Sequence, residues 1–496
     1  MVRAGPRGRG PDHHLCSRVL SVNFGKIASF ALGPLGAALF GFITLPVVTW
    51  FYPPEDVGRL AMLQVAINFT ALLFGLGLDQ AYIREYHTSD GHPALFKAAV
   101  LPGLAVLLLA LAPFLLRPTL LSDLLFELES WTISAMVAAC VLAAFTVRFL
   151  SLILRMEERG VAFSMGQVLP KLFFLLIVGL FALCGAATNT WHLLFAHALA
   201  LILVACGYAW ALRRVWWSAL QERVDRQQQR QMIAYGFPLI FAGLAFWGLT
   251  ATDRILLRSL STFEELGKYS VAANIAAAAL VLKTLFQTLW APQVYKWESE
   301  GSSSKKIRAM NHYMLVCIVI LFSLVGALSW MIDILLPVQY ESVKYLLVPC
   351  LAYPMLFTLS ETTAVGINLA RKTGYSVAVA GVAFLANAGL NLLLIPRFAA
   401  AGAAVATVLA FWLFFLLRSE FSARVWESFP RREQYCFTTI IVVLAALTPL
   451  LGNTIGVGVH WLWALLLLFF LIYYAGTVIS GIRLVREKWV GRNNHE

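Results

Sequence analysis

Apolar residues run along this chain in blocks, not in stripes. Fourteen stretches carry almost no charge, at roughly 26–50, 58–83, 94–116, 131–154, 161–184, 190–212, 232–257, 268–295, 311–337, 343–368, 373–395, 400–418, 435–452 and 459–481. A hydrocarbon layer of about 30 Å, crossed at 1.5 Å per residue, takes about 20 residues of helix. Each block is near that length and apolar on every face, so none reads as the one-sided helix of a soluble protein. The pattern predicts an all-α polytopic membrane protein with about 14 transmembrane helices and, the number being even, both termini on one side.

Polar residues between the blocks give the orientation. Short loops that stay in the cytoplasm are enriched in Lys and Arg. With the N-terminus inside, the outer segments hold only Arg59, Arg117, Arg258, Lys268, Lys344 and Arg397, and most of the other basic residues fall in inner segments. Both termini are therefore expected in the cytoplasm. The stretch Arg213 to Arg230 (RRVWWSALQERVDRQQQR) is among the longest inner loops and follows six blocks. It divides the chain into a basic disordered tail at 1–25, a first lobe of six helices at 26–212, a linker at 213–231, a second lobe of six helices at 232–425, and two further helices with a cytoplasmic tail at 426–496.

An internal repeat supports that division. PPEDVGRLAMLQVAINF (Pro53 to Phe69) follows the first block and STFEELGKYSVAANIAA (Ser261 to Ala277) follows the seventh. Glu55, Asp56, Gly58 and Arg59 match Glu264, Glu265, Gly267 and Lys268 at a constant offset of 209. Two pseudo-symmetric lobes with a site between them is the arrangement such duplication predicts in transporters.

Composition adds little beyond the blocks. Of 496 residues, 60% are hydrophobic and 13% charged, and the mean hydropathy is +0.76. The net charge of +12 is accounted for by the inner loops, so no nucleic-acid partner is implied. Seven cysteines are scattered without a CxxC pair or a histidine at metal spacing, which argues for small packing residues over disulfides or a metal site. The first 25 residues lack the apolar core and cleavage site of a signal peptide.

Charges inside the blocks are the candidate chemistry. An ion at the bilayer centre costs about 2.5 to 3.5 kcal/mol on insertion scales, so it faces a wet cavity or a partner. Counting from the block ends puts Lys171 and Lys283, one in each lobe, about 15 to 22 Å deep, near the midplane. Arg148, Asp79 and Glu361 fall toward the inner half, and Asp253 with Arg254 toward the outer end of the seventh block. Arg84 stands at the inner end of the second block. The cations Lys171, Lys283, Arg148, Arg84 and Arg254 are candidates for binding an anionic substrate, since ammonium and guanidinium groups replace the hydration of phosphate. Asp79, Asp253 and Glu361 are candidates for a coupling proton or sodium ion. Pairing of these acids with the cations is the structural alternative, and for Asp253 with Arg254 it weighs as much as substrate contact.

Four segments carry a resemblance: KIASFALGPLGAALFGFITLPVVTWFYPPEDVGRLAML (Lys26 to Leu63), FGLGLDQAYIREYH (Phe74 to His87), YGFPLIFAGLAFWGLTATDRILLRSLSTFEELGKYSVAANIA (Tyr235 to Ala276) and NLLLIPRFAAAGAAVAT (Asn391 to Thr407). The chain resembles the bacterial polysaccharide-lipid flippases of the Wzx type, in the superfamily that also holds multidrug exporters and peptidoglycan-precursor flippases. The resemblance implies translocation of undecaprenyl-pyrophosphate-linked oligosaccharide repeat units across the bacterial inner membrane, for O-antigen and lipopolysaccharide, capsule or exopolysaccharide, by alternating access. It implies no cofactor beyond a possible H+ or Na+ gradient, a monomer in the bilayer, and polysaccharide polymerase or assembly proteins as candidate partners. Two departures stand out: Phe398 and Ala399 occupy positions where relatives often have Tyr-Gly, and the first block carries no acid, unlike proton-coupled drug exporters.

A cation-coupled multidrug or metabolite exporter of the same fold is the alternative reading. A membrane enzyme is disfavoured, because the outer loops are short and carry no paired carboxylates, no nucleophile with a histidine base and no phosphate-cradling glycine loop. No catalytic or metal-binding residue is expected.

Overall fold

The computed structural model describes residues 24–480 apart from 89–91, 186–188, 301–302, 371, 373, 428–429 and 478. The basic tail expected at 1–25 thus lies, up to residue 23, outside the described residues, as does the chain from 481 onward. Among the described residues there are helices and no strands. The first half comprises α1 (Phe24–Phe51), α2 (Pro54–Gly75), α3 (Leu78–Glu85), α4 (His92–Leu116), α5 (Leu120–Phe126), α6 (Trp131–Met156), α7 (Gly160–Leu183) and α8 (Thr190–Ala211). A short helix, α9 (Arg213–Gln221), leads into the second half. That half begins with α10 (Arg226–Leu260), α11 (Phe263–Ala276), α12 (Leu280–Ser299) and α13 (Ser303–Leu328). It continues through α14 (Ile332–Leu335), α15 (Val343–Cys350), α16 (Ala352–Thr363), α17 (Val365–Leu369) and α18 (Gly374–Val425). Two more helices follow, α19 (Arg432–Ile455) and α20 (Gly458–Tyr473).

Among the described residues, twelve helical stretches are long and apolar enough to cross a membrane, and the 16-residue α20 is shorter but apolar. The eleventh and twelfth apolar blocks both fall within α18, whose 52 residues would span about 78 Å if straight, more than twice the hydrocarbon thickness. It is not straight. Ala399, at φ 47° and ψ −125°, interrupts the helix between the two blocks, and Gly402 packs directly on the backbone of Leu394. The chain doubles back there as a helical hairpin. Other blocks are also broken. Leu76 (φ 51°) and Gly77 (φ 64°) end α2 inside the second block, and a 3-10 turn at Ala277–Ala279 separates α11 from α12 inside the eighth.

Helix starts follow the local chemistry. Pro54 opens α2 with Glu55 and Asp56 in the first turn, where a fixed φ and negative charge both suit a helix N-terminus. Thr262 caps α11 by accepting the Glu265 N–H at 3.2 Å, again with two acids in the first turn. The repeat also acts in three dimensions. Asp56 accepts a hydrogen bond from the Thr190 hydroxyl at the start of α8, and its counterpart Glu265 accepts one from the Ala400 N–H at 3.2 Å, at the start of the second arm of α18.

Within the first half, α1 packs along α7, and α8 against α6 and α7. Within the second, α18 packs along α10 and α16, while α19 and α20 cover α13 and α18. The halves meet where α2 lies along α11 and α10. At one end of that contact the matched glycines face each other: a methyl group on Gly58 would collide with the Phe263 carbonyl, and one on Gly267 with the Pro54 carbonyl. Hydrogen bonds tie the same end across the halves, from Trp50 Nε1 to Leu335 O (3.1 Å), Gln339 Nε2 to Thr49 O (3.4 Å), the Tyr340 hydroxyl to Tyr52 O (2.9 Å) and Arg258 Nη2 to Leu124 O (2.7 Å). At the other end Gly77 and Gly236 touch backbone to backbone, and the Arg84 guanidinium sits 4.5 Å over the Tyr235 ring.

The conformation of Ala399 is one that glycine adopts freely and other residues adopt at a cost of about 1–3 kcal/mol. Ala399→Gly is therefore expected to raise the unfolding midpoint of the detergent-purified protein, by several degrees, in a thermal melt followed by circular dichroism.

Candidate functional site

Two adjoining cavities lie between the halves. One, of about 610 Å³, is walled by α2, α10, α11, α16 and α18; the other, of about 500 Å³, by α1, α2, α7, α11 and α12. Gln64, Asn274, Ala277 and Leu280 belong to both walls, so the two are compartments of one space. Arg254 and Arg148 line the larger compartment and Lys171 the smaller. The sequence put Arg148 toward the inner side and Arg254 toward the outer, and one cavity reaches both.

Cations in this space differ in what they already hold. Among the described residues, Arg254 and Lys171 make no hydrogen bond or ion pair with protein. Arg148 donates through Nη2 to Asp79 Oδ2 at 2.9 Å, while its buried Nε has no partner. Lys283 is outside both cavity walls. Its ammonium sits 4.0 Å over the Phe357 ring and 4.8 Å over the Tyr353 ring, and donates to the Tyr353 hydroxyl at 3.1 Å. Arg84 is on the surface at the end of α3, 3.7 Å from Glu85.

The three acids separate in the same way. Asp79 is paired with Arg148. Glu361 is paired with Arg418 at 2.7 Å and also accepts from Gln287. Asp253, only 2% exposed, is not paired with its neighbour Arg254. Its Oδ1 accepts from Asn387 (3.0 Å) and Asn391 (2.7 Å), and its Oδ2 from Tyr269 (2.7 Å) and Thr407 (2.8 Å). Four neutral donors from α11 and both arms of α18 satisfy both carboxylate oxygens, a buried ion held without a countercharge. The Asn391 Oδ1 in this cluster is buried without a donor.

Several of these residues escaped the sequence reading. Arg418 stands at the very edge of the twelfth apolar block, where the next basic loop begins, but α18 runs on to Val425 and buries it. The amides Gln64, Asn68, Asn274, Asn387 and Asn391 were passed over because they carry no charge. Their signal was available: Gln64 with Asn68, and Asn387 with Asn391, are polar pairs at i,i+4 inside apolar blocks, one helix face each.

Comparison with known proteins agrees with this architecture. A family described as "Polysaccharide biosynthesis protein" matches residues 25–294. No curated protein matches the chain. A solved structure of the lipid II flippase MurJ in an inward closed conformation is similar over 90% of this chain and 99% of its own, with a TM-score of 0.66 at 12% identity. An inward-facing multidrug resistance MATE family transporter of the MOP superfamily gives 0.54 at 12% identity, over 78% and 95% of the two chains. A mutant of the Vibrio cholerae MATE transporter VcmN gives 0.51 at 14%, over 81% and 96%. At these identities the likeness is one of fold.

The Glu361–Arg418 pair is 15% and 11% exposed, and removing one partner of a buried pair costs about 3–5 kcal/mol. Arg418→Ala is expected to lower the melting midpoint strongly, and Glu361→Gln in the same chain to restore part of it, which thermal melts of the single and double variants would measure.

Proposed function

The chain belongs to the polysaccharide biosynthesis protein family, and from that premise we propose that it is a flippase carrying undecaprenyl-pyrophosphate-linked oligosaccharide repeat units from the cytoplasmic to the periplasmic leaflet of a bacterial inner membrane. The observation that carries the reading is the space between the halves with two cations, Lys171 and Arg254, that the protein leaves unpaired. Keeping an ammonium and a guanidinium without partners in an apolar bundle is costly. A pyrophosphate bridging them would recover that cost through charge-assisted hydrogen bonds while the prenyl chain stays in lipid. The lobes at 26–212 and 232–425 are the moving bodies in this reading, supported by the contacts that join each half internally. The product would feed surface polysaccharide such as O-antigen, capsule or exopolysaccharide.

Asp253 is the strongest of the three candidates for a coupling proton or sodium ion, because Asp79 and Glu361 already hold arginines. Its four donors are all neutral, so the site as a whole is anionic and suited to a monovalent cation. Lys283, enclosed by rings, has a positioning role in this reading, and Arg148 contributes one guanidinium edge to the larger compartment.

Deleting the gene is expected to strand lipid-linked repeat units on the cytoplasmic leaflet, as read by periplasmic glycan labelling. The wild-type gene should reverse this, and Lys171→Ala or Arg254→Ala should cut export about tenfold or more, one lost charge-assisted contact each. Normal surface glycan in the deletion strain with altered sensitivity to toxic compounds would favour an exporter instead. Asp253→Asn is expected to retain substrate binding but to make export in vesicles independent of an imposed H+ or Na+ gradient; unchanged gradient dependence would remove Asp253 from the coupling role.

A further inference from the structure

Apart from its cations, the larger compartment is lined by two unlike kinds of group. Gln64 and Asn68, a turn apart on α2, belong to its lining with Asn274 of α11. Among the described residues none of these three carboxamides hydrogen-bonds to protein. An amide in an apolar bundle with no partner costs several kcal/mol if it is dry, so these three serve whatever fills the cavity. The same compartment also has an aromatic lining, with Trp247 and Tyr353 among its rings. The Trp247 ring packs at 4.9 Å on Phe69, and its indole N–H has no protein partner among the described residues. The Tyr353 ring is fixed by Phe411 at 5.0 Å and by the Lys283 ammonium on its hydroxyl.

Carboxamides offer a donor pair and an acceptor in one plane, which matches the vicinal hydroxyl and acetamido groups around a sugar ring. Aromatic faces match the other property of a sugar, the apolar C–H face of the ring. A phosphate needs neither. Resting on the flippase reading above, we propose that this compartment binds the sugar residue attached to the pyrophosphate, with its edge on Gln64, Asn68 and Asn274 and its face toward Trp247 and Tyr353. These five residues then set which glycan is accepted, and Lys283 is a positioning residue that acts through Tyr353.

The test uses the full-length protein in nanodiscs and two probes: undecaprenyl pyrophosphate alone, and the same carrier bearing one N-acetylglucosamine. Wild-type protein is expected to bind the sugar-bearing carrier about tenfold more tightly, the increment of one or two net hydrogen bonds. The double variant Asn68→Leu with Asn274→Leu, and separately Trp247→Leu in the aromatic lining, should erase that preference while keeping the affinity for the bare carrier, which also reports an intact fold. Wild-type protein that binds both carriers equally would overturn this inference alone and leave the flippase reading standing. A preference that survives in both variants would overturn it too. Failure of wild-type protein to bind either carrier would overturn both readings.

Discussion

The two halves touch backbone to backbone at Gly58 and Gly267, and the rest of the arrangement is built outward from that contact. No side chain larger than hydrogen fits at either position, so α2 and α11 approach as closely as helices can, as small residues allow in membrane bundles. The contact sits in the repeat itself, with both partners at the same place in their own copies. From the seam, Gln64 and Asn68 lie about 9 and 15 Å along α2, and Asn274 about 10 Å along α11. The cavity lining begins beside the seam, at Val57, Leu60, Ala61 and Tyr269, and its carboxamides follow about one and a half to three turns further along the two helices.

Charge in the bundle is arranged so that each half settles its own account. Asp79 and Arg148 both belong to the first half. Glu361, Arg418 and the whole Asp253 cluster belong to the second. None of these networks crosses the seam, so none has to break if the halves rock about it. The bonds that do cross lie at both ends, from Trp50, Gln339, Tyr340 and Arg258 beside the glycines and from Gln229 to Ala98 O at the other. Ion pairs and the Asp253 cluster thus hold each half internally, while glycine contacts and the hydrogen bonds at the two ends join the halves.

Much of this was legible in the chain, and the reason is the severity of the solvent. A bilayer demands long apolar blocks and keeps basic loops inside, so the helical blocks and the two-half plan could be read without a structure. The repeat was legible because acids at a helix start and a glycine at a close approach are each dictated locally. What could not be read was which groups satisfy each other. Lys283 and Lys171 look alike as single lysines in apolar blocks, yet one is enclosed by rings and the other lines the cavity. Arg418 looked like a loop residue because apolarity falls off before the helix does. The amides carry no charge, the signal that marks the candidate cations and acids, although an uncharged polar group without a partner is also costly in this environment. Partnering depends on tertiary approach, and one sequence does not encode it in any local pattern.

Asp253 and Arg254 are adjacent in the chain and face different tasks. The aspartate turns into a cage of neutral donors and the arginine into open cavity, so the pair does not neutralise itself. Lys171 lies on the first half and Arg254 on the second, and an anion held between them would be sensitive to how far apart the halves stand. A ligand shifts a conformational equilibrium only by the difference in its affinity for the two states, and a bridging anion has such a difference by construction. A cation entering at Asp253 would change the charge one residue away from Arg254 and thereby the strength of that bridge. On the proposed cycle, substrate and ion would then communicate through a single peptide unit of α10, with no longer pathway needed between the two sites.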